Sequence, residues 1–320
     1  MRDPLIDRSK GVLIFLVVWG HFLERLVGWG IDESRILLTT IYAIHMPAFI
    51  FISGMLFKNK NIVDKIIYFL SLLIPFQLFY LLFNYAFTGQ WSTAWWYQPY
   101  WILWYLFGMI CWSLLLPVIL KTKYPLFVSM LLAVLVGFSP INNYILSIGR
   151  VFTFLPFFVL GHLYGKDLLG WLKRNPKLNI LGFIVICVIA LIFAFFPISS
   201  AWLYGSYSFN QLHVYGLAAV GMRVGLMLLS TIGCLALLAL VPNTESKYML
   251  QLGQNTLAVY LLHGFVVIII ANSLSLPGSF ELKILLCFLL SVVTCYLFQQ
   301  HIFSHMIDKI TKLFRWNKST

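Results

Sequence analysis

Long apolar runs alternate with short polar breaks along this chain, and the length of the runs decides the class of fold. A helix that crosses the hydrocarbon core of a bilayer needs about 20 mostly apolar residues. Such runs fall at roughly 9–29, 35–57, 63–87, 100–120, 124–145, 147–169, 178–198, 217–241, 251–272 and 280–307. The pattern predicts an all-α polytopic membrane protein with about ten transmembrane helices. The fifth and sixth runs lie closest together, since Ser139-Pro140 and Asn142-Asn143 leave little room for a turn. No internal repeat or low-complexity tract stands out. No loop is long enough for a separate soluble domain. Residues 1–320 therefore read as one membrane-embedded domain, with a helical core of about 9–307.

Composition removes the alternatives. Of 320 residues, 61% are hydrophobic and 10% charged, against about 25% charged in a soluble domain. No water-soluble fold of this size hides so much apolar side chain. The net charge of +12 is scattered between the runs instead of gathered on one face. It reads as topology signal and contact with anionic lipid, not as a nucleic-acid surface. The lipid bilayer is the expected partner. Five cysteines, all inside apolar runs and with no CxxC, indicate neither a disulfide framework nor a zinc site. Basic residues before Val12–Trp19 resemble a signal peptide, but no small-x-small cleavage site follows, and His21, Glu24 and Arg25 interrupt the run. An uncleaved first helix is the reading.

The positive-inside rule then sets the orientation. With both termini cytoplasmic, 17 of the 22 Lys and Arg residues fall on the cytoplasmic side. The exceptions are Arg25, Arg35, Arg150, Arg223 and Lys283. The outer segments 88–99 and 197–216 hold no Lys or Arg at all. The expected location is the cytoplasmic (inner) membrane of a bacterium.

Ionisable groups at depth are costly, and they are the first places to look for function. Lys10 and His21 are eleven residues apart, three helical turns plus about 20°, with ~16 Å of rise between them. Both project from one face, and His21 falls near the midplane if Lys10 marks the boundary. Glu24, one turn further on, shares that side and is placed to orient the imidazole. Counting from helix ends puts His45 ~20 Å and His263 ~18 Å deep. Three histidines on three helices thus reach similar depth. A buried imidazole favours its neutral form and accepts a proton, which suits a general base for a hydroxyl nucleophile. The alternatives stay open: interhelical hydrogen bonding for His45 or His263, and a three-histidine metal site as the weaker possibility, so that no metal is expected. Arg150 and Arg223 bind substrate or pair with helix ends. His162 reads as packing. Trp95, Trp96 and Trp104, with Trp91 and Trp101, form either an interfacial belt or a platform for sugar rings. Arg8, Lys10 and Lys58 either hold phosphates of an anionic cofactor or serve as retention charges.

Five segments, in order, resemble the acyltransferase-3 family, especially its fucose 4-O-acetylase-like branch. The first is Ile6-Asp7-Arg8-Ser9-Lys10-Gly11 with Gly20-His21, which fits the family's basic residue, ten intervening positions and histidine. The others are His45-Met46-Pro47 through Ile52-Ser53-Gly54, Leu103-Trp104-Tyr105-Leu106, Arg150-Val151 through Pro156-Phe157-Phe158 and Gly161, and Leu252-Gly253 through Asn255, Tyr260 and His263. The resemblance covers roughly residues 6–305. It implies an O-acyltransferase that takes an acetyl group from cytoplasmic acetyl-CoA and delivers it to a hydroxyl of an extracytoplasmic glycan or lipid-linked sugar. It maps the essential histidine onto His21 and its basic partner onto Lys10. Many relatives carry an appended extracytoplasmic domain, and none is expected here. Two other readings remain: an exporter of polysaccharide or lipid-linked sugar, and a non-catalytic subunit working with other glycan-assembly proteins.

Overall fold

A computed structural model describes residues 3–91, 93–94, 96–241 and 246–314. Among these residues every regular element is a helix. In order they are α1 (Pro4–Leu26), α2 (Asp32–Leu56), α3 (Ile62–Thr88), α4 (Trp104–Ile119), α5 (Pro125–Leu135), α6 (Ile148–Arg174), α7 (Leu178–Phe195), α8 (Ser200–Tyr204), α9 (Gly216–Leu240), α10 (Lys247–Gln254), α11 (Thr256–Ser273), α12 (Phe280–Phe298) and α13 (His301–Phe314). Eight of them, or of their extensions by short 3-10 turns, are long and apolar enough to cross a membrane. The remaining two of the ten expected spans are α1, which carries too many charges, and α5, which is short.

The polar helix is in the middle. α1 starts early because Asp3 caps it, accepting from the Leu5 backbone N–H at 2.9 Å, with Pro4 in the first turn. It packs against α2, α10, α11 and α12, and its Asp7, Arg8 and Ser9 are buried. α7, the most apolar of the spans, and α12 turn most of their surface outward instead. Hydrocarbon is the outer solvent and the charged helix is shielded by apolar neighbours, as a bilayer demands.

Glycines in the segments quoted above set the closest crossings. A Cβ on Gly54 of α2 would strike the backbone of Phe158 in α6, and one on Gly161 of α6 would strike the backbone of Phe51 in α2. The contact is reciprocal, and α2 with α6 is the most extensive helix pair. The same reciprocity joins α1 to α10, where Gly11 meets Met249 and Gly253 meets Asp7. Small residues that let backbones touch are how helices associate without a hydrophobic driving force.

Three expected spans differ in detail. The fifth stops early: α5 ends at Leu135 and a 3-10 turn at Val136, because Ser139 precedes Pro140 and takes an extended ψ of 130°. Residues 139–147 form a loop in which Leu146 and Ser147 have left-handed φ values of 49° and 52°. The ninth divides at Asn255 into α10 and α11. The tenth ends at Phe298, and after Gln299-Gln300 the chain turns into α13, a separate amphipathic helix. Ser304 of α13 donates to Asn255 Oδ1 at 2.6 Å. α13 therefore lies on the face where α1 begins, the terminal face below.

Candidate active site

Two helices running in opposite directions supply the core of the site. α1 places His21 and Glu24 one turn apart, and α2 places Tyr42 and His45 one turn apart. The Tyr42 hydroxyl lies between the first pair. It donates to Glu24 Oε2 at 2.5 Å and is 3.2 Å from His21 Nδ1. With its proton committed to the carboxylate, the Tyr42 oxygen accepts from Nδ1–H. That tautomer leaves Nε2 of His21 with its lone pair free. Glu24 Oε2 also approaches His21 Nδ1 directly, at 3.5 Å. The other carboxylate oxygen accepts from the Tyr204 hydroxyl and, at 3.4 Å, from Trp29 Nε1. Three donors thus hold one carboxylate against an imidazole.

His45 and His263 converge on the same place. His263 of α11 stacks on His21, with ring centroids 5.5 Å apart and planes 17° apart. His45 lies edge-on to Tyr42 at 4.9 Å. Each donates Nδ1–H to the carbonyl one turn back, His45 to Ile41 at 2.7 Å and His263 to Val259 at 3.0 Å. Nε2 of His263 is buried with no hydrogen-bond partner. Among the described residues no group of three or more His, Cys, Asp or Glu side chains could hold a metal ion.

His21, Glu24 and His45 open onto a cavity of about 280 Å³ on the face opposite the termini. Trp104 and Arg150 line it, with Arg25, Trp101, Tyr144 and Tyr204. Trp101 sits with its ring 4.8 Å from that of His21 and 4.9 Å from the Arg25 guanidinium, on a backbone with the unusual φ of 30°. Such strain in a large residue clusters at functional sites.

Lys10 lines a different cavity, of about 580 Å³, toward the terminal face. Lys58, Ser53, Tyr105 and Tyr260 share it, and Lys10 also borders a neighbouring space of about 440 Å³ beside α13. Lys10 pairs with Asp7 at 2.9 Å. Between this side and His21 the Tyr260 hydroxyl donates to the Ile102 carbonyl at 2.5 Å, and Tyr105 packs on Tyr260 with centroids 5.5 Å apart.

Other expected residues fall elsewhere. Arg8 is buried with an unpartnered Nε and lines neither cavity. Arg223 is also apart from His21; it donates to Thr153 at 2.5 Å and to the Tyr207 carbonyl at 3.4 Å, and it lies over Trp202 and Phe209. That is a structural bridge between α6, α9 and the segment after α8. Trp96 is largely exposed and borders a separate apolar groove. Trp95 lies outside the described residues. His162 rests edge-on to Phe57 at 6.5 Å, a packing contact. Sequence reasoning named Trp101 only within the belt or platform and Arg25 only as an outer-side charge, and it passed over Tyr42, which stands three residues before His45 and faces the same way. Tyr204 carries no local signal, since it meets Glu24 across 180 residues.

The structure thus brings a carboxylate-supported imidazole to a cavity inside a polytopic helical bundle. Residues 4–300 match the acyltransferase domain of the acyltransferase-3 family, and the chain belongs to that family. It is similar to the nodulation protein NolL of Mesorhizobium japonicum (strain LMG 29417 / CECT 9101 / MAFF 303099), with 26% identity over 300 residues, 83% of this chain and 76% of that protein. It is also similar to the nodulation protein NolL of Sinorhizobium fredii (strain NBRC 101917 / NGR234), with 27% identity over 301 residues, 83% of this chain and 78% of that one. No solved structure gives a significant match. The protein is a multi-pass membrane acyltransferase.

Proposed function

We propose that the protein transfers an acetyl group from cytoplasmic acetyl-CoA to a hydroxyl of an extracytoplasmic glycan or lipid-linked sugar, with His21 as the base. In this reading the terminal face is cytoplasmic and the His21 cavity opens outward in the inner membrane of a bacterium. The distribution of Lys and Arg supports that orientation.

The observation that carries the reading is the chain His21–Tyr42–Glu24. The acceptor hydroxyl gives its proton to Nε2 of His21 while its oxygen attacks the thioester carbonyl carbon. The new C–O bond forms, the C–S bond breaks, and the thiolate leaves to take up the proton from the imidazolium. As charge develops on His21, Nδ1–H strengthens its bond to Tyr42, and Glu24 balances the charge. A transient acetyl on Nε2 is the two-step form of the same reaction. Lys10 and Lys58 attract the donor's phosphates at the terminal-face cavity. His45, His263, Trp104 and Arg150 shape the side on which the sugar binds.

Replacing His21 by Ala tests the reading. In cells with normal amounts of folded protein, ester-linked acetate on surface glycan should fall to background. Acetylation at the parental level would rule out His21 as the base.

A further inference from the structure

Five cations stand on the face opposite the termini against the charge bias of the chain: Arg25, Arg35, Arg150, Arg223 and Lys283. Two of them are accounted for locally. Arg35 donates to Asp32 at 2.8 Å, and Arg223 is taken up by Thr153 and the Tyr207 carbonyl. Arg25 and Arg150 differ. Both line the cavity that contains His21. Among the described residues their guanidinium contacts are with aromatic faces: Arg25 with Trp101 at 4.9 Å, Arg150 with Trp104 at 5.3 Å and Tyr144 at 5.9 Å. The one carboxylate in the cavity, Glu24, is already occupied by Tyr42, Tyr204 and Trp29.

Helix stability does not explain Arg150. It lies in the first turn of α6, where a cation opposes the helix dipole and costs instead of stabilising. A guanidinium held against the dipole, over an aromatic ring and facing a cavity has its planar donor fork free for an incoming oxyanion. Arg25, one residue beyond Glu24, offers a second fork, over Trp101, in the lining of the same cavity.

We propose that Arg25 and Arg150 form an anion subsite, and that the acceptor is an acidic sugar: one carrying a phosphate or a carboxylate near the hydroxyl that is acylated. The inference rests on the acyl-transfer reading and narrows its acceptor. The shared chemistry is an oxyanion on a sugar ring; a lipid-linked sugar would supply phosphate and a uronic acid would supply carboxylate. Trp101 and Trp104 face the ring while the forks hold the charge. The cavity, about 280 Å³, is close to the lower end for small-ligand sites, which suits a single sugar head.

The test is binding and transfer with three probes: glucose 1-phosphate, methyl glucuronide and neutral methyl glucoside. The full chain is purified into phosphatidylcholine nanodiscs, and affinities are measured by isothermal titration. At least one charged probe should bind about 10- to 100-fold more tightly than the neutral one. High salt should shrink that gap in the unmodified chain. Arg150→Gln and Arg25→Gln should each reduce it, and Arg150→Lys should keep part of it. Whichever charged probe binds tighter identifies phosphate or carboxylate. Equal affinity for all three probes, no binding of a charged probe, or a gap that survives high salt and both Gln variants would overturn the subsite. The salt series needs no variant, so misfolding cannot hide the answer. Acetyl-CoA is then added. Tight binding of a charged probe with no transfer refutes acetyl transfer and leaves the subsite standing, whereas transfer without charge preference does the reverse.

Discussion

Tyr42→Phe isolates the step on which the mechanism depends. The substitution keeps the ring, and with it the edge contacts to His45 at 4.9 Å, Trp29 at 5.4 Å and Tyr204 at 5.8 Å. Only the hydroxyl is lost, and with it the path from His21 Nδ1 to Glu24. A hydrogen bond to a charged group is worth about 1.5–3 kcal/mol, and each 1.36 kcal/mol is tenfold in rate. The direct approach of Glu24 to Nδ1 at 3.5 Å retains part of the stabilisation. The expected loss is therefore about 10- to 50-fold in kcat, toward the lower end of that range. Because the hydroxyl acts on charge that appears only as the proton moves, KM for the acceptor should change little. The assay follows labelled acetyl from acetyl-CoA to glycan in membrane vesicles at saturating substrate. A normal kcat would mean that Tyr42 does not position His21, and a rise in KM alone would make it a binding residue. An unchanged Tm of the variant in detergent separates this from damage to folding.

Three further outcomes follow from the geometry. Gly161→Ala drives a methyl into the Phe51 backbone and should destabilise the protein by about 1–3 kcal/mol, read as a lower Tm in detergent. Gly170→Ala, on the same helix with open space around it, should leave Tm unchanged or slightly raised. Lys10→Gln should raise KM for acetyl-CoA by about tenfold and leave KM for the acceptor unaltered; equal effects on both would place Lys10 elsewhere in the reaction. For the orientation, a membrane-impermeant maleimide applied to intact cells should label Gln90→Cys and not Lys60→Cys, and the opposite pattern would invert the topology.

The spans were legible because their signal is local: twenty apolar residues in a row have few other uses. Where the fold departed from that signal, the cause was also local. Ser139-Pro140 ends α5, and the polar pair Gln299-Gln300 separates α12 from an amphipathic helix that simple hydropathy merges with it. Depth was legible too, because rise per residue is fixed, so the common level of His21, His45 and His263 followed from counting. Direction around each helix axis is not fixed by counting alone. It depends on how helices rotate against one another, here through reciprocal glycine contacts such as Gly54 on Phe158 and Gly161 on Phe51. Spacing put Glu24 beside His21, but that Tyr42 bridges them depends on α2 packing against α1. Tyr204 arrives from a short helix in a distant loop, and its position has no counterpart in any periodic pattern. The Lys10 and His21 spacing gave a shared face, yet the two residues open onto different cavities, because α11 and the turn at Trp101 intervene.

That separation bears on how the reaction avoids water. An imidazole that deprotonates a sugar hydroxyl also activates water, and a thioester in a continuous aqueous channel would be hydrolysed. Between the two cavities stand the Tyr260 hydroxyl on the Ile102 carbonyl and, behind it, Tyr105. Ile102 follows Trp101, the residue with the strained backbone and the ring against His21. Ile102 also lines the acceptor cavity beside Trp101, and its carbonyl takes the Tyr260 hydroxyl. In the proposed reaction a sugar seated against Trp101 acts on the element that closes the donor side, so that donor and base meet when the acceptor occupies the site that water would otherwise fill.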